Sequence, residues 1–315
     1  MQIPYEVSAR PDTGLYNAKL GIWLFLASEV MLFGGLFSAY VFSRVSSDPG
    51  YWPHGLLNVP VGTMNTAILI ASSVTVVLAW ASLKMRRWNA YWWYMLITIL
   101  CGATFLAVKL SYEWPAKFQH FGIFISKDAA PKYEKYLGNA YLAERKMTPR
   151  YEITGHLHAI EIERNGKKET IEEDMSPAKA DDLAHEAGTK VIAYELHLDP
   201  INAEPTNPAS DRPHFLPDLP TEETAVIEAA DIIPNGASAF LPRHSTYFSN
   251  YFLITGLHGL HVLAGVIVFI YMLLFGKKLY LRNPEHMANR VEVAGLFWHF
   301  VDLVWIFVFP IFYLL

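Results

Sequence analysis

The chain has 315 residues, 52% of them hydrophobic and 17% charged, with a formal net charge of −5. That balance excludes both a disordered polyelectrolyte and a basic nucleic-acid-binding protein. The single cysteine, Cys101, excludes an intrachain disulfide.

Residues 1–19 are polar and show no cleavable signal peptide, so the first apolar run is expected to act as its own insertion signal. That run, residues 20–42, is long enough to cross a bilayer core, which takes about 20 residues. It carries one acid, Glu29, near its middle, where a carboxyl is expensive and is by default read as functional or interfacial. Residues 61–83 and 91–110 form two further apolar runs. Lys109 and Glu113 close the third; four residues apart, they suit one helix face, with the lysine snorkelling to the membrane surface.

The composition then changes. Residues 115–244 hold 22 acidic and 14 basic residues and read as a small α+β insert. Residues 152–163 alternate as a strand, Asn165-Gly166 is a hairpin turn, and residues 167–171 form its return strand. Ser176-Pro177 opens a short helix, residues 191–198 resemble another strand, and the prolines of residues 200–220 suggest an extended linker. His156 and His158 share a strand face and His197 falls near them. Without a firmer ligand spacing they read as solvated surface histidines rather than a metal site. The acidic balance suits a basic partner, or simply a solvated acidic face.

Two apolar runs follow, residues 248–275 and 292–315. The first holds His258 and His261, the second His299 and Asp302, each pair one helical turn apart. At about 1.5 Å per residue along antiparallel helices, His261 matches His299 in depth and His258 matches Asp302. Three readings stay open for these groups: a metal or haem site, a proton relay that includes Glu292, or a polar clamp between two helices. Small residues at helix-packing intervals (Gly35 and Ala39, Ala67 and Ala71, Ala103 and Ala107) predict a packed bundle. Lys84, Arg86, Arg87, Lys277, Lys278, Arg282 and Arg290 fall on one side of the five spans. Positive-inside bias places that side and the N-terminus in the cytoplasm, and the insert and C-terminus outside.

These residues carry a resemblance. Thr255-Gly-Leu-His-Gly-Leu-His-Val262, Glu292, Trp298-His-Phe-Val-Asp-Leu-Val-Trp305, Leu26-Ala-Ser-Glu-Val-Met-Leu-Phe33, Trp52-Pro53, Asn65-Thr66, Ala71-Ser72 and Ser111-Tyr-Glu113 occur in the order of the cytochrome c oxidase subunit 3 family. The chain is similar to subunit III of the haem-copper terminal oxidases over all five spans, but not over residues 1–15 or most of the insert. Two helices that precede the first span in the seven-helix form are absent, and the insert stands where the family has a short loop. The resemblance implies an all-α polytopic bundle of five helices, divided as segment 1–19, helices 1–3 in 20–114, a periplasmic insert in 115–244, and helices 4–5 in 245–315. It implies an accessory subunit of a proton-pumping oxygen reductase in the bacterial cytoplasmic membrane. Such a subunit has no catalytic residue, no metal and no cofactor of its own; haems and copper belong to subunits I and II. Glu29 matches the family's intramembrane carboxyl, which lies near bound phospholipid and influences proton uptake. His258, His261, His299, Asp302 and Glu292 become a structural polar cluster, and Lys277 and Lys278 become lipid head-group candidates. Subunit I is the expected main partner, with subunit II, other oxidase subunits and lipids. The insert docks a cytochrome c or a neighbouring respiratory complex, or caps subunit interfaces. The electron donor stays open between cytochrome c and quinol, with a nitric-oxide-reductase-associated homologue as a further alternative. A stand-alone proton-coupled transporter is the alternative of another class, although no inverted repeat or broken helix supports it.

Overall fold

The computed structural model describes residues 17–53, 56–137, 151–164, 166–172, 177–184, 186–199, 223–242 and 245–314. Asn165, Ser176, the proline-rich stretch 200–220 and the polar N-terminal residues up to 16 lie outside them. The chain divides into a membrane unit, Met1–Ala39 with Leu57–Ser111 and Leu253–Leu315, and an insert unit, Tyr40–Leu56 with Tyr112–Phe252.

Among the described residues, five helices are long and apolar enough to cross a membrane. The first three are α1 (Asn17–Val45), α2 (Val59–Lys84) and α3 (Trp88–Val108). A π-helical turn, Lys109–Glu113, and a last helical turn, Trp114–Lys117, continue α3. After the short insert helix α4 (Pro177–Ala184) come α5 (Thr246–Arg282) and α6 (Pro284–Phe309), the latter continued by a second π turn, Pro310–Leu314. Helices suit this environment because they satisfy every backbone polar group internally. Asn58 caps α2 by accepting from the Val61 amide at 3.2 Å, with Pro60 in the first turn, where its missing N–H costs nothing.

The connection between the last two spans differs from the sequence reading. Apolar runs ending at 275 and resuming at 292 suggest a connection of many residues, yet α5 runs to Arg282 and α6 starts at Pro284. Asn283 alone joins them, in an extended conformation, and its side chain accepts from the His286 amide at 3.0 Å. Residues 276–291 are polar but are mostly adequate helix formers, so they lengthen both helices beyond their apolar parts.

Within the membrane unit α2 packs on both α3 and α6. One close approach is at Trp298, which is 1% exposed. A Cβ on Gly102 of α3 or on Gly265 of α5 would stand 2.7 Å from its indole. Only hydrogen at both positions admits the ring, the small-residue packing that membrane helices favour. The indole Nε1 donates to Ser72 Oγ of α2 at 2.9 Å, so this one tryptophan ties three other helices together. Two turns further on, Trp305 Nε1 donates to Thr66 Oγ1, also at 2.9 Å.

The insert unit is a six-stranded antiparallel sheet of β1 (Phe121–Ile125), β2 (Glu152–Arg164), β3 (Lys167–Glu172), β4 (Thr189–Leu198), β5 (Thr224–Glu228) and β6 (Ile232–Ala239). The spatial order is β5-β4-β2-β1-β6. The 13-residue β2 is the spine: β4 pairs along one edge, while β1 and then β3 share the other. Two residues separate β2 from β3, and Gly166 has φ 74°, which the hairpin turn requires and glycine supplies without strain. Ile123, Ile153, Ile160, Leu196 and Ile227 line a buried face with Ala180 of α4 and Tyr133.

Candidate functional site

Glu29 sits on α1 and His261 on α5, and the structure brings them together. Glu29 Oε2 lies 2.9 Å from His261 Nε2, with both side chains 14% exposed. The other ring nitrogen fixes the proton inventory. His261 Nδ1 is 2.7 Å from the Leu257 carbonyl, which can only accept, so Nδ1 carries a hydrogen. Nε2 then either donates to a carboxylate as part of an imidazolium or accepts from a protonated Glu29. In both forms one proton is shared across the 2.9 Å gap and the pair is neutral overall. Neutrality is what makes burial in hydrocarbon tolerable. Phe33, edge-on at 5.4 Å, and Phe297, stacked at 6.1 Å, wall the imidazole with apolar rings.

The depth matching of His258 with Asp302 and of His261 with His299 does not describe the partners found. His261 takes Glu29 instead, and His299 Nδ1 lies 2.5 Å from Ser73 Oγ on α2. The Asp302 carboxyl lies near the same Ser73 hydroxyl, and its Oδ1 has no hydrogen-bond partner among the described residues. His258 is 1% exposed and is used as an aromatic ring, edge-on to Phe105 at 5.6 Å and tilted against Trp305 at 5.1 Å. Neither of its nitrogens has a hydrogen-bond partner among the described residues. Matching depth on two helices overlooks the acid and hydroxyl that other helices present at the same level.

Glu292 is also engaged elsewhere, in an ion pair of 2.5 Å with Lys19 of α1. With His299 it contributes the polar wall of a cavity of about 200 Å³, otherwise formed by Val76, Val77, Trp80, Val291, Gly295 and Leu296. Lys277 and Lys278 are exposed near the end of α5 and form no ion pair among the described residues. Lys109 does not snorkel. It is 5% exposed, bonds the Tyr313 hydroxyl, and holds its ammonium 4.5 Å from the Trp305 ring centre. Lys109 and Tyr313 themselves lie in the two π turns, where the regular ladder is broken; Pro310, which lacks an N–H, begins the second. A cation over an indole recovers part of its lost hydration.

In the insert, His156 pairs in register with His197, and the rings of His158 and His197 are 4.5 Å apart. His158 falls where the β2–β4 register shifts, a bulge that re-aims its side chain. These histidines are only partly exposed, and His156 Nε2 is buried, which corrects the solvated reading. His120, before β1, and Asp199, after β4, join His156. Neither stands out in the sequence because the three come from separate elements. The signal available is the His-x-His of residues 156–158 beside the His-x-Asp of 197–199, both at strand spacing.

Comparison with known proteins follows the same division. The family model for cytochrome c oxidase subunit III matches residues 12–124 and 226–315, leaving the middle of the insert unmatched. A cytochrome bo(3) ubiquinol oxidase subunit 3 of Pseudomonas aeruginosa is 40% identical over 80 residues, 25% of this chain and 37% of that protein. Cytochrome c oxidase subunit 3 of Bacillus sp. (strain PS3) is 36% identical over 98 residues, 31% of this chain and 47% of that protein. A haem-copper oxidase subunit I+III of Aeropyrum pernix is 37% identical over 102 residues, 30% of this chain and 12% of that protein. The matched stretches thus span less than half the length of these relatives. With both parts of the membrane unit covered by the family model, this chain belongs to the cytochrome c oxidase subunit III family.

Proposed function

We propose that the chain is an accessory, non-redox subunit of a proton-pumping haem-copper oxygen reductase that oxidises cytochrome c. The observation that carries this reading is the family match over both parts of the five-helix bundle. Polar pairs within the bundle support it: Glu29 with His261, Lys19 with Glu292, and Ser73 with His299. Haems and copper belong to partner subunits on this reading, and the chain supplies packing, lipid sites and support for proton uptake through Glu29.

Subunit I is the proposed main partner, consistent with the I+III name of the Aeropyrum relative. Exposed Trp23, Leu24, Phe25, Met31 and Phe42 on α1 suit burial against apolar helices or lipid tails. The cavity beside Val76 and Leu296 suits an acyl chain, and Lys277 and Lys278 suit anionic head groups. Their side of the bilayer is the cytoplasm on the positive-inside rule, which puts the insert in the periplasm.

Affinity purification through a tag on this chain tests the reading. Haem-bearing subunits should co-elute, and the chain stripped of them should show no haem absorption. Haem retained by the isolated chain overturns the non-redox assignment. A quinol donor is the second reading, favoured by the ubiquinol oxidase name of the Pseudomonas aeruginosa relative. Oxygen uptake by the purified complex with reduced cytochrome c, compared with ubiquinol, separates the two.

A further inference from the structure

Three ligand-type side chains converge in the insert unit: His120 from the turn before β1, His156 from β2, and Asp199 from the residue after β4. One donor atom of each lies within 4.8 Å of the others. We propose that this cluster is a binding site for a divalent transition-metal ion of the zinc class, with His120, His156 and Asp199 as its protein ligands.

A cation at this point would satisfy the groups that the hydrogen bonds leave open. His120 Nδ1 is 2.7 Å from the Ala116 carbonyl, so it carries the hydrogen and donates. Its Nε2 faces Asp199 Oδ1 at 3.2 Å. A lone pair and a carboxylate oxygen repel at that distance unless a positive centre lies between or beside them. A proton on His120 is one such centre, but it leaves His156 without a role. His156 Nε2 is buried and has no hydrogen-bond partner among the described residues. Its ring centre is 4.5 Å from that of His120. A metal ion uses all three groups at once.

The surroundings fit that role. His120 is 9% exposed and Asp199 6%. The Nδ1–H of His120 donated to a backbone carbonyl is the outer-shell bond that orients a metal-binding imidazole. Phe240 stacks on the same ring at 5.9 Å and excludes water from one side.

Tetrahedral zinc with bonds of about 2.0–2.1 Å has donor atoms roughly 3.3 Å apart. The His120–Asp199 separation of 3.2 Å already has this value, and the longest separation in the set must contract from 4.8 Å or less. Gly155 helps to set the frame: a Cβ there would lie 2.2 Å from the His197 carbonyl, so only glycine lets β2 and β4 close at this level. Two imidazoles and one carboxylate leave a fourth position for water or an incoming ligand. His158 and His197 lie alongside as a further imidazole pair. This inference does not depend on the proposed respiratory role.

The full-length chain in detergent, treated with chelator, loaded with Zn²⁺ alone and gel-filtered, tests it. The expected result is one zinc per chain by mass spectrometry, with an X-ray absorption fine structure showing imidazole scattering. His156→Ala should lower zinc affinity at least about tenfold, while His299→Ala, in the membrane unit, leaves it unchanged. His156 Nε2 makes no hydrogen bond with the described residues, so the variant is expected to fold; His156→Gln is read the same way where it does not. No zinc on the wild-type chain, equal retention by the His156 variants, or a bound zinc without imidazole scattering would each overturn the proposal.

Discussion

Glu29 on α1 and His261 on α5 share one proton across 2.9 Å, and the Leu257 carbonyl dictates that arrangement by taking the other ring hydrogen. Truncating either partner leaves the other buried with an unmatched polar group. Glu29→Ala and His261→Ala should each destabilise the protein by about 1–3 kcal/mol. The double variant should cost less than the sum of the two, because the pair is removed whole. A double-mutant cycle on thermal unfolding in detergent measures this, and strict additivity would show that the two groups act independently.

Trp298 allows a steric prediction. Gly102→Ala or Gly265→Ala puts a methyl 2.7 Å from the indole, and overpacking of this kind costs typically about 1–3 kcal/mol. Trp298→Leu in the Gly265→Ala background should recover part of the loss. Melting temperatures of the single and paired variants decide it; a Gly265→Ala variant as stable as wild type contradicts the packing described.

Lys109 should show the asymmetry of buried charges. Tyr313→Phe deletes the hydroxyl that the ammonium bonds and should destabilise by about 1–2 kcal/mol. Lys109→Met combined with Tyr313→Phe should cost less than the sum of the two single changes, because the bonded ammonium and hydroxyl are then removed together. Denaturant unfolding of Tyr313→Phe, Lys109→Met and the double variant tests this.

The insert carries its own pH signature. Asp231 is held below the ordinary carboxylate value by hydrogen bonds from Lys132 and then Tyr133. A depressed carboxyl contributes stability that is fully present above its unfolded value of about 4 and is lost as pH falls through the folded value. The same bonds raise Lys132, whose contribution persists below its unfolded value of about 10.4 and fades only at higher pH. The cluster is therefore constant from about pH 5 to 9 and weakens on the acid side. Asp231→Asn should flatten the acid limb of a melting-temperature profile between about pH 5 and 2. An unchanged acid limb would assign the sensitivity to other groups.

Much of this architecture is readable from the residues because periodicity and length are local properties. Five apolar runs become five helices, and the alternation of Glu152–Arg164 becomes the longest strand. Three strands are not legible in that way. Phe121–Ile125 is a short unbroken apolar run, which looks the same in a strand and in a buried helix. Thr224–Glu228 and Ile232–Ala239 follow a proline-rich stretch that reads as a linker. The polar residues of the spans are visible in the sequence, but their partners are not. Ser73 and Glu29 decide where His299 and His261 go, and both lie on helices that a comparison of α5 with α6 never consults. His120 and Asp199 are hidden for the same reason: their meeting with His156 is made by strand order, not by spacing.

Asn283 alone joins α5 to α6, so in the folded protein the two helices cannot shift in height independently of one another. The levels of His258 and His261 on α5 and of His299 and Asp302 on α6 are therefore set by a single turn, and Glu29 on α1 and Ser73 on α2 meet His261 and His299 at those levels.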